Sequence, residues 1–471
     1  MYRQAFAAVA CLAAVGLTAC GGGGGGGSVP PVPASVPAGF SAGTGNVTAV
    51  SSSVPAPTAT PTAAPALLAS PAGPAHVTTW LYYGLNGINA AVPASYMVGK
   101  ATIVETDTSE GSSGQNFKNA GGKYAVHYTD PAFVPNCATP AGPCTGPMGN
   151  LGLPESAWLH ATGGTRVNKY VNTTFGYQDV LNPTSAAVQA AYATFTNQKL
   201  AAAPGLDFFF ADDSGGPYNG VDGTAASGIL WNFSAPSVEI TSDAQWIAGK
   251  AAVFAAAARP VFVNGSSYDT WLPAYNGAFL KLPNVAGMNH EGCFNADDNG
   301  ISTDAYGRWQ KMANSLLMNT GLQKYAVCMM MGAVTPAARL YDLASWWTTY
   351  DANYSIAAPV NLGPDGYAIY PEFDIVPTQP KSTANLDISV LRNGNGAYVR
   401  EFSACYQNGA GIGPCATIVN TTGAPLAMPA LSGYGRTLNL DSNGSYTGGK
   451  AWWSAGVASS IAASSGVILS R

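Results

Sequence analysis

Asp212 and Asp213 stand just after a short apolar, aromatic run at 206–210, and Glu291 follows a second run at 285–288. A glycosidic bond is cut by such a pair. One carboxyl gives a proton to the leaving oxygen while the other attacks the anomeric carbon or activates water. Other apolar runs end in polar residues in the same way: Tyr82 and Tyr83 after the first, Glu105 and Asp107 after the second, His127 and Asp130 after the third, Asn264 after the fifth, and His290 beside Glu291. These are candidate ligands for sugar hydroxyls, with Tyr82, Tyr83, Trp158 and Trp271 as candidate stacking surfaces. Asp213, beside Ser214 and Gly215, could equally close an Asx-turn. Other chemistries lack their signals. There is no Gly-x-Ser-x-Gly elbow and no glycine-rich phosphate loop after a strand. The spacing of Asp212, Asp213 and Asp222 matches no calcium loop, and four histidines with scattered cysteines do not make a zinc site. No cofactor and no metal are expected.

The elements that must position these residues repeat along the chain. Apolar β-runs at 77–83, 101–104, 123–126, 206–210, 260–263, 285–288 and 325–331, with an eighth expected at 367–370, alternate with helix-compatible stretches at 184–200, 242–258, 304–319 and 337–350. Strands alternating with helices argue for a parallel sheet. Polar residues gathered at the C-terminal ends of many runs describe the active face of a (β/α)8 TIM barrel. Met329-Met330-Met331 is then barrel packing. From about residue 382 the pattern changes to short strands at 386–391, 397–402, 417–420, 436–440 and 467–470, separated by Asn-Gly and similar turns. This predicts a C-terminal antiparallel β-sandwich.

The chain before the barrel has another character. Residues 1–20 combine Arg3, an Ala/Val/Leu-rich core and Leu17-Thr18-Ala19-Cys20, a pattern that resembles a bacterial lipobox with Cys20 as the lipidated residue. Gly21 after the cysteine, by resemblance to Gram-negative lipoproteins, favours the outer membrane. Residues 21–74 carry no charged side chain and are rich in Gly, Ala, Ser and Pro, the composition of a disordered tether. The expected organisation is a signal peptide over 1–20, a tether over 21–74, the barrel over 75–380 and the sandwich over 381–471. A net charge of −5 with only 10% charged residues offers no footprint for nucleic acid. Of eight cysteines, six remain for an oxidising compartment. Cys137 pairs with Cys144 and Cys405 with Cys415 by proximity, which leaves Cys293 for Cys328.

Trp158-Leu159-His160 with Gly164-x-Arg166-Val167, the run ending in Asp212-Asp213, and Glu291 resemble a family of bacterial TIM-barrel proteins described as glycoside-hydrolase-like. Tyr398-Val399-Arg400-Glu401-Phe402 and Ile418-Val419-Asn420 resemble that family's small β-domain, so the likeness spans about residues 76–471. It departs where the Cys405–Cys415 stretch interrupts the β-domain. The resemblance implies Asp212 as nucleophile or base and Glu291 as general acid, and a polysaccharide or oligosaccharide substrate. The alternative is a non-catalytic glycan-binding lipoprotein of the same fold.

Overall fold

The computed structural model describes residues 74–82, 98–106, 113–137, 148, 151–172, 176–212, 214, 238–267, 273–294, 308–331, 335–360, 370–382, 387–442 and 449–471. Tyr83, Asp107, Cys144, Asp213 and Trp271 lie outside them, as do Cys20, the leader and nearly all of the tether.

The chain lays down β1 (Trp80–Tyr82), β2 (Ile103–Thr106) and β3 (Tyr124–Thr129), then an insertion of β4 (Phe133–Cys137), β5 (Asn168–Asn172) and β6 (Gly176–Val180). It continues with β7 (Phe208–Ala211), β8 (Val261–Ser267), β9 (Val285–Glu291), β10 (Tyr325–Met331) and β11 (Ser355–Val360). The eight strands outside the insertion form one parallel sheet, β1-β2-β3-β7-β8-β9-β10-β11. A parallel bridge between Thr79 and Ala357 brings its two edges together as a TIM barrel. Six helices are described: α1 (Ser113–Asn119), α2 (Ala186–Ala202), α3 (Asp243–Ala255), α4 (Pro273–Leu280), α5 (Arg308–Gly321) and α6 (Pro336–Thr349). Their starts follow side-chain chemistry: Ser242 accepts from the Gln245 amide ahead of α3, and Thr335 accepts from Ala338 with Pro336 at the first position of α6.

The period of two in each strand sorts residues between two layers. Trp80, Ile103, Tyr124, Val126, Phe208, Phe210, Phe262, Tyr325, Val327, Met329 and Ile356 fill the barrel. Ala125, Phe209, Ala211, Val261 and Val263 face the helices instead. Aromatic edges lock the filling, with Trp80 against Phe262 at 4.8 Å and Phe208 against Phe262 at 5.2 Å between ring centres. Of the methionine run, Met329 faces in and Met330 packs outward.

The structure departs from these expectations at several points. The eighth strand is Ser355–Val360, not 367–370; its small side chains and Pro359 hide it from a search for bulky apolar runs, and Tyr370 instead leads into a 3-10 turn at Pro371–Asp374. The antiparallel sheet β4-β6-β5 between β3 and α2 carries a stretch of loop-like composition that sequence reading left unassigned. The C-terminal region is one six-stranded sheet rather than a sandwich. Its strands are β12 (Ile375–Pro380), β13 (Tyr398–Gln407), β14 (Ala410–Asn420), β16 (Arg436–Leu440), β17 (Ala451–Ala455) and β19 (Ser465–Ser470), in the order β12-β13-β14-β19-β16-β17. A ribbon of β15 (Leu426–Ala427) and β18 (Ser460–Ile461) is all the second layer there is among the described residues. Residues 388–391, read as part of a strand, form a 3-10 turn. The sheet begins at Ile375, within the stretch assigned to the barrel.

Disulfides join Cys293 to Cys328 and Cys405 to Cys415. The second does not interrupt the sheet: it links β13 to β14 across a hairpin whose two-residue turn, Asn408-Gly409, has φ of 50° and 79°, the left-handed pair that Asn-Gly adopts with least strain. Cys137 ends β4, and its expected partner lies outside the described residues.

An irregularity in β9 resets the direction of its side chains. Val261 pairs with Val285 but Phe262 pairs with Gly287, so Ala286 is an extra residue on β9 and the phase of alternation changes there. Gly287 meets β10 so closely that an added Cβ would clash with the Tyr325 carbonyl and lie 2.7 Å from its Cβ. Gly287→Ala should destabilise the fold by about 1–3 kcal/mol in urea unfolding. Gly277→Ala in α4, where the nearest atom to a new Cβ is Met318 Sδ at 3.6 Å, should be neutral or stabilising by up to about 1 kcal/mol. Equal effects from the two would show that the bulge does not depend on glycine.

Candidate active site

Phe208 and Phe210 point into the barrel, so the next residue in phase, Asp212, faces inward at the strand's end. Tyr128, two residues beyond inward Val126, does the same from β3, and Asn264, two beyond Phe262, from β8. On β9 the bulge turns Asn289 and Glu291 inward and His290 outward. Without it Glu291 would share the outward phase of Val285. The result is a cluster at the C-terminal mouth. Tyr128 Oη donates to Asp212 Oδ2 at 2.7 Å. Asn264 Nδ2 donates to Asp212 Oδ1 at 2.8 Å and to Glu291 Oε2 at 3.0 Å. Both carboxylate oxygens are therefore within hydrogen-bond reach of one nitrogen, no farther apart than the two bonds laid end to end. Tyr128, Asp212, Asn264 and Glu291 each keep part of their surface exposed.

The two carboxyls differ in electrostatics. Burial pushes the Glu291 carboxyl up from 4.5 to about 7, the charge of Asp212 adds to the rise, and the Asn264 hydrogen bond acts against it. Glu291 reaches the surface at the mouth, yet its surroundings withhold enough water for burial to be the leading cause. The rise favours the protonated form of Glu291 beside Asp212, which is the form a general acid needs.

The other expected ligands fall into distinct places. Glu105 points into the barrel beneath the mouth, 4% exposed, and accepts from Trp80 Nε1 at 3.1 Å. Tyr82 ends β1, paired with Glu105. Asp130 accepts from the Ala132 amide at 3.0 Å, the Asx-turn arrangement. Three residues lie away from the mouth. His127 faces the helix layer, against Phe195 and Phe209, and burial with the nearby Lys199 charge pushes it down to about 3. His290 also faces outward, between the Val327 carbonyl and Ser315 Oγ, and burial pushes it down to about 4. Trp158 is buried in the insertion under the Arg166 guanidinium, 4.2 Å from its ring centre. His160 and Arg166 of the same motif tie the insertion together: His160 Nδ1 lies 2.7 Å from Glu239 Oε1, and Arg166 pairs with Glu155 and Asp179. The shared error was to take polar residues near a strand's end as rim residues without counting their phase. Counting alternate residues from the last apolar residue facing the barrel interior would have rejected His127 and found Tyr128. Asn289 and Glu291 needed the bulge as well.

No family model matches the sequence, and no curated protein matches it. Among solved structures it resembles Aspergillus fumigatus Ega3 in complex with galactosamine, at 14% identity over 63% of this chain and 96% of that one, with a TM-score of 0.36. It also resembles the glycoside hydrolase domain of PelA from Pseudomonas aeruginosa, at 11% identity over 61% and 95%, TM-score 0.37. A third is the Thermus thermophilus α-galactosidase TtGalA with p-nitrophenyl α-D-galactopyranoside, at 13% identity over 64% and 60%, TM-score 0.37. Likeness of that degree decides nothing about chemistry, which rests on the residues at the mouth.

The raised Glu291 has a consequence for stability. Its folded value, about 7, lies above its ordinary 4.5. Between these the unfolded chain releases a proton that the folded chain keeps, so stability falls as pH rises through the window. Glu291→Gln does not titrate. Melting temperature measured from pH 4 to 8 should show the variant gaining on the wild type from about pH 4.5 to about pH 7 and holding a constant lead above that. A difference independent of pH would mean that Glu291 titrates normally.

Proposed function

We propose that this protein is a glycoside hydrolase that cuts a polysaccharide of the cell envelope or its surroundings, tethered to the outer membrane by lipid on Cys20. The observation that carries the enzymatic reading is the pair at the mouth: Asp212 and Glu291 held at one amide, with Glu291 raised to about 7. The leader and the uncharged tether support the location.

The spacing supports a two-step route with retention. Retaining glycosidases hold their carboxyls about 5–5.5 Å apart, inverting ones about 6.5–9.5 Å to admit a water. In the first step an Asp212 oxygen attacks the anomeric carbon as the glycosidic bond breaks, and Glu291 gives its proton to the leaving oxygen. In the second a water attacks that carbon, its proton passes to Glu291, and the ester bond to Asp212 breaks. Tyr128 and Asn264 both donate to the Asp212 carboxyl and aim it at the mouth. The C-terminal sheet serves the barrel as cover for α6.

The rival is a glycan-binding protein of the same fold without turnover. The two part on one experiment: purified residues 75–471 incubated with bacterial exopolysaccharides, reading new reducing ends. In an enzyme, Asp212→Asn should lower turnover on the order of a thousandfold while leaving glycan affinity similar, because the lost charge acts mainly in the transition state. Glu291→Gln should lose least on an aryl glycoside whose leaving group needs no proton. A folded Asp212→Asn with wild-type turnover ends the enzymatic reading, and glycan retention without new reducing ends assigns the cleft to binding.

A further inference from the structure

We infer that Asn264, oriented by Asn289, is the positioning residue of this site: its amide fixes the separation and facing of the two carboxylates. The inference rests on reading Asp212 and Glu291 as the catalytic pair. A side-chain amide has a donor end and an acceptor end, and only the donor end suits two carboxylates. A third contact settles which end faces them. Asn289 Nδ2 lies 3.4 Å from Asn264 Oδ1 and 3.7 Å from Met329 Sδ. Turning Asn264 over would set its oxygen against both carboxylates and its NH2 against that of Asn289, so the orientation holds itself. Asn289 is fully buried and inward-facing, a place where an amide is costly unless it is bonded.

The amide works differently on its two clients. Burial and the Asp212 charge drive the Glu291 proton affinity up, and the Asn264 bond brings it back down, so the acid both carries a proton near neutrality and releases it. Asp212 receives a second donor, Tyr128, which does not bond Glu291. The ionisable groups turned toward this cluster among the described residues are Asp212 from β7, Tyr128 from β3 and Glu105 from β2. β10 contributes Met329, and His290 on β9 itself faces the helix layer.

The test is a carboxyl NMR titration of wild type, Asn264→Ala, Asn289→Ala and Tyr128→Phe, with pH profiles of kcat/KM on the polymer that the reducing-end screen selects. Loss of a hydrogen bond to a carboxylate should raise its midpoint by about one unit. Asn264→Ala should therefore raise both midpoints and carry both limbs of the profile upward. Asn289→Ala should raise both by less, since the amide stays but is free to turn. Tyr128→Phe should raise Asp212 and leave Glu291 nearly unmoved. A packing role would lower the melting temperature without moving either midpoint. Folded Asn264→Ala with an unmoved Glu291 midpoint overturns the inference; if that variant does not fold, an unmoved midpoint in Asn289→Ala does so. Midpoints that move in a protein that cuts no polymer support the positioning and remove the hydrolase reading instead.

Discussion

A single extra residue in β9 decides which way Glu291 faces. Strict alternation from Val285 would send residues 287, 289 and 291 to the helix layer; with Ala286 doubled against β8, Asn289 and Glu291 turn into the barrel and His290 turns out. Bulges cost ladder hydrogen bonds, and this one also demands a residue without a Cβ, because Gly287 lies against the Tyr325 backbone. Tyr325 in turn stacks on Phe262, 5.7 Å between ring centres, and Phe262 packs against Trp80. The aromatic filling of the barrel therefore braces the bulge, and the bulge aims Glu291.

That filling also explains why the mouth is electrostatically unusual. Layers of Phe, Tyr and Trp fill the barrel below the cluster, and Asn264 donates to Glu291 at the mouth. Charge in such a place is held only where a donor meets it. Asp212 meets both Tyr128 and Asn264, whereas Glu291 shares Asn264 with it. The donors come from two strands, Tyr128 from β3 and Asn264 from β8, with Asn289 on β9 paired to Asn264.

Much of this was legible in the sequence, for reasons of phase and composition. Phe208-Phe209-Phe210-Ala211-Asp212 announces both a doubly buried strand and an inward carboxylate, and Arg436–Leu440 alternates so cleanly that its bounds need no structure. β11 was hidden because Ser-Ile-Ala-Ala-Pro-Val packs by smallness between β10 and β1 rather than by bulk. The hairpin at Cys405–Cys415 was hidden because Gly411 and Gly413 look like loop, although Asn408-Gly409 marks the turn. His127 and Trp158 misled because residue type was read without direction: a histidine or tryptophan one residue out of phase is buried in another layer.

The C-terminal sheet answers a need that the barrel creates. Barrel helices usually expose one side to water, yet α6 buries Tyr341, Leu343, Ala344, Trp346 and Trp347 together with Arg339 and Asp342, so it requires cover nearly all round. The sheet supplies it at close range. Gly466 on β19 sits where an added Cβ would be 2.5 Å from Ala344 Cβ and 2.7 Å from the Leu340 carbonyl. Burying the end of α6 strands its last carbonyls, and Arg400 from β13 reaches them, donating to Thr348 and Tyr350 at 3.0 Å each and to Trp347 at 3.4 Å. Burial pushes that guanidinium down to about 10, still charged near neutrality, where it complements the negative end of the helix. At the other end Arg339 pairs with Glu372 and stacks over Tyr370, joining the start of α6 to the chain entering β12. Both ends of α6 are thus held from the sheet side, and its apolar side chains share one cluster with Met330 of β10 and Ala357 of β11. Met329 on β10 lies 3.7 Å from Nδ2 of Asn289, the amide that bonds Asn264.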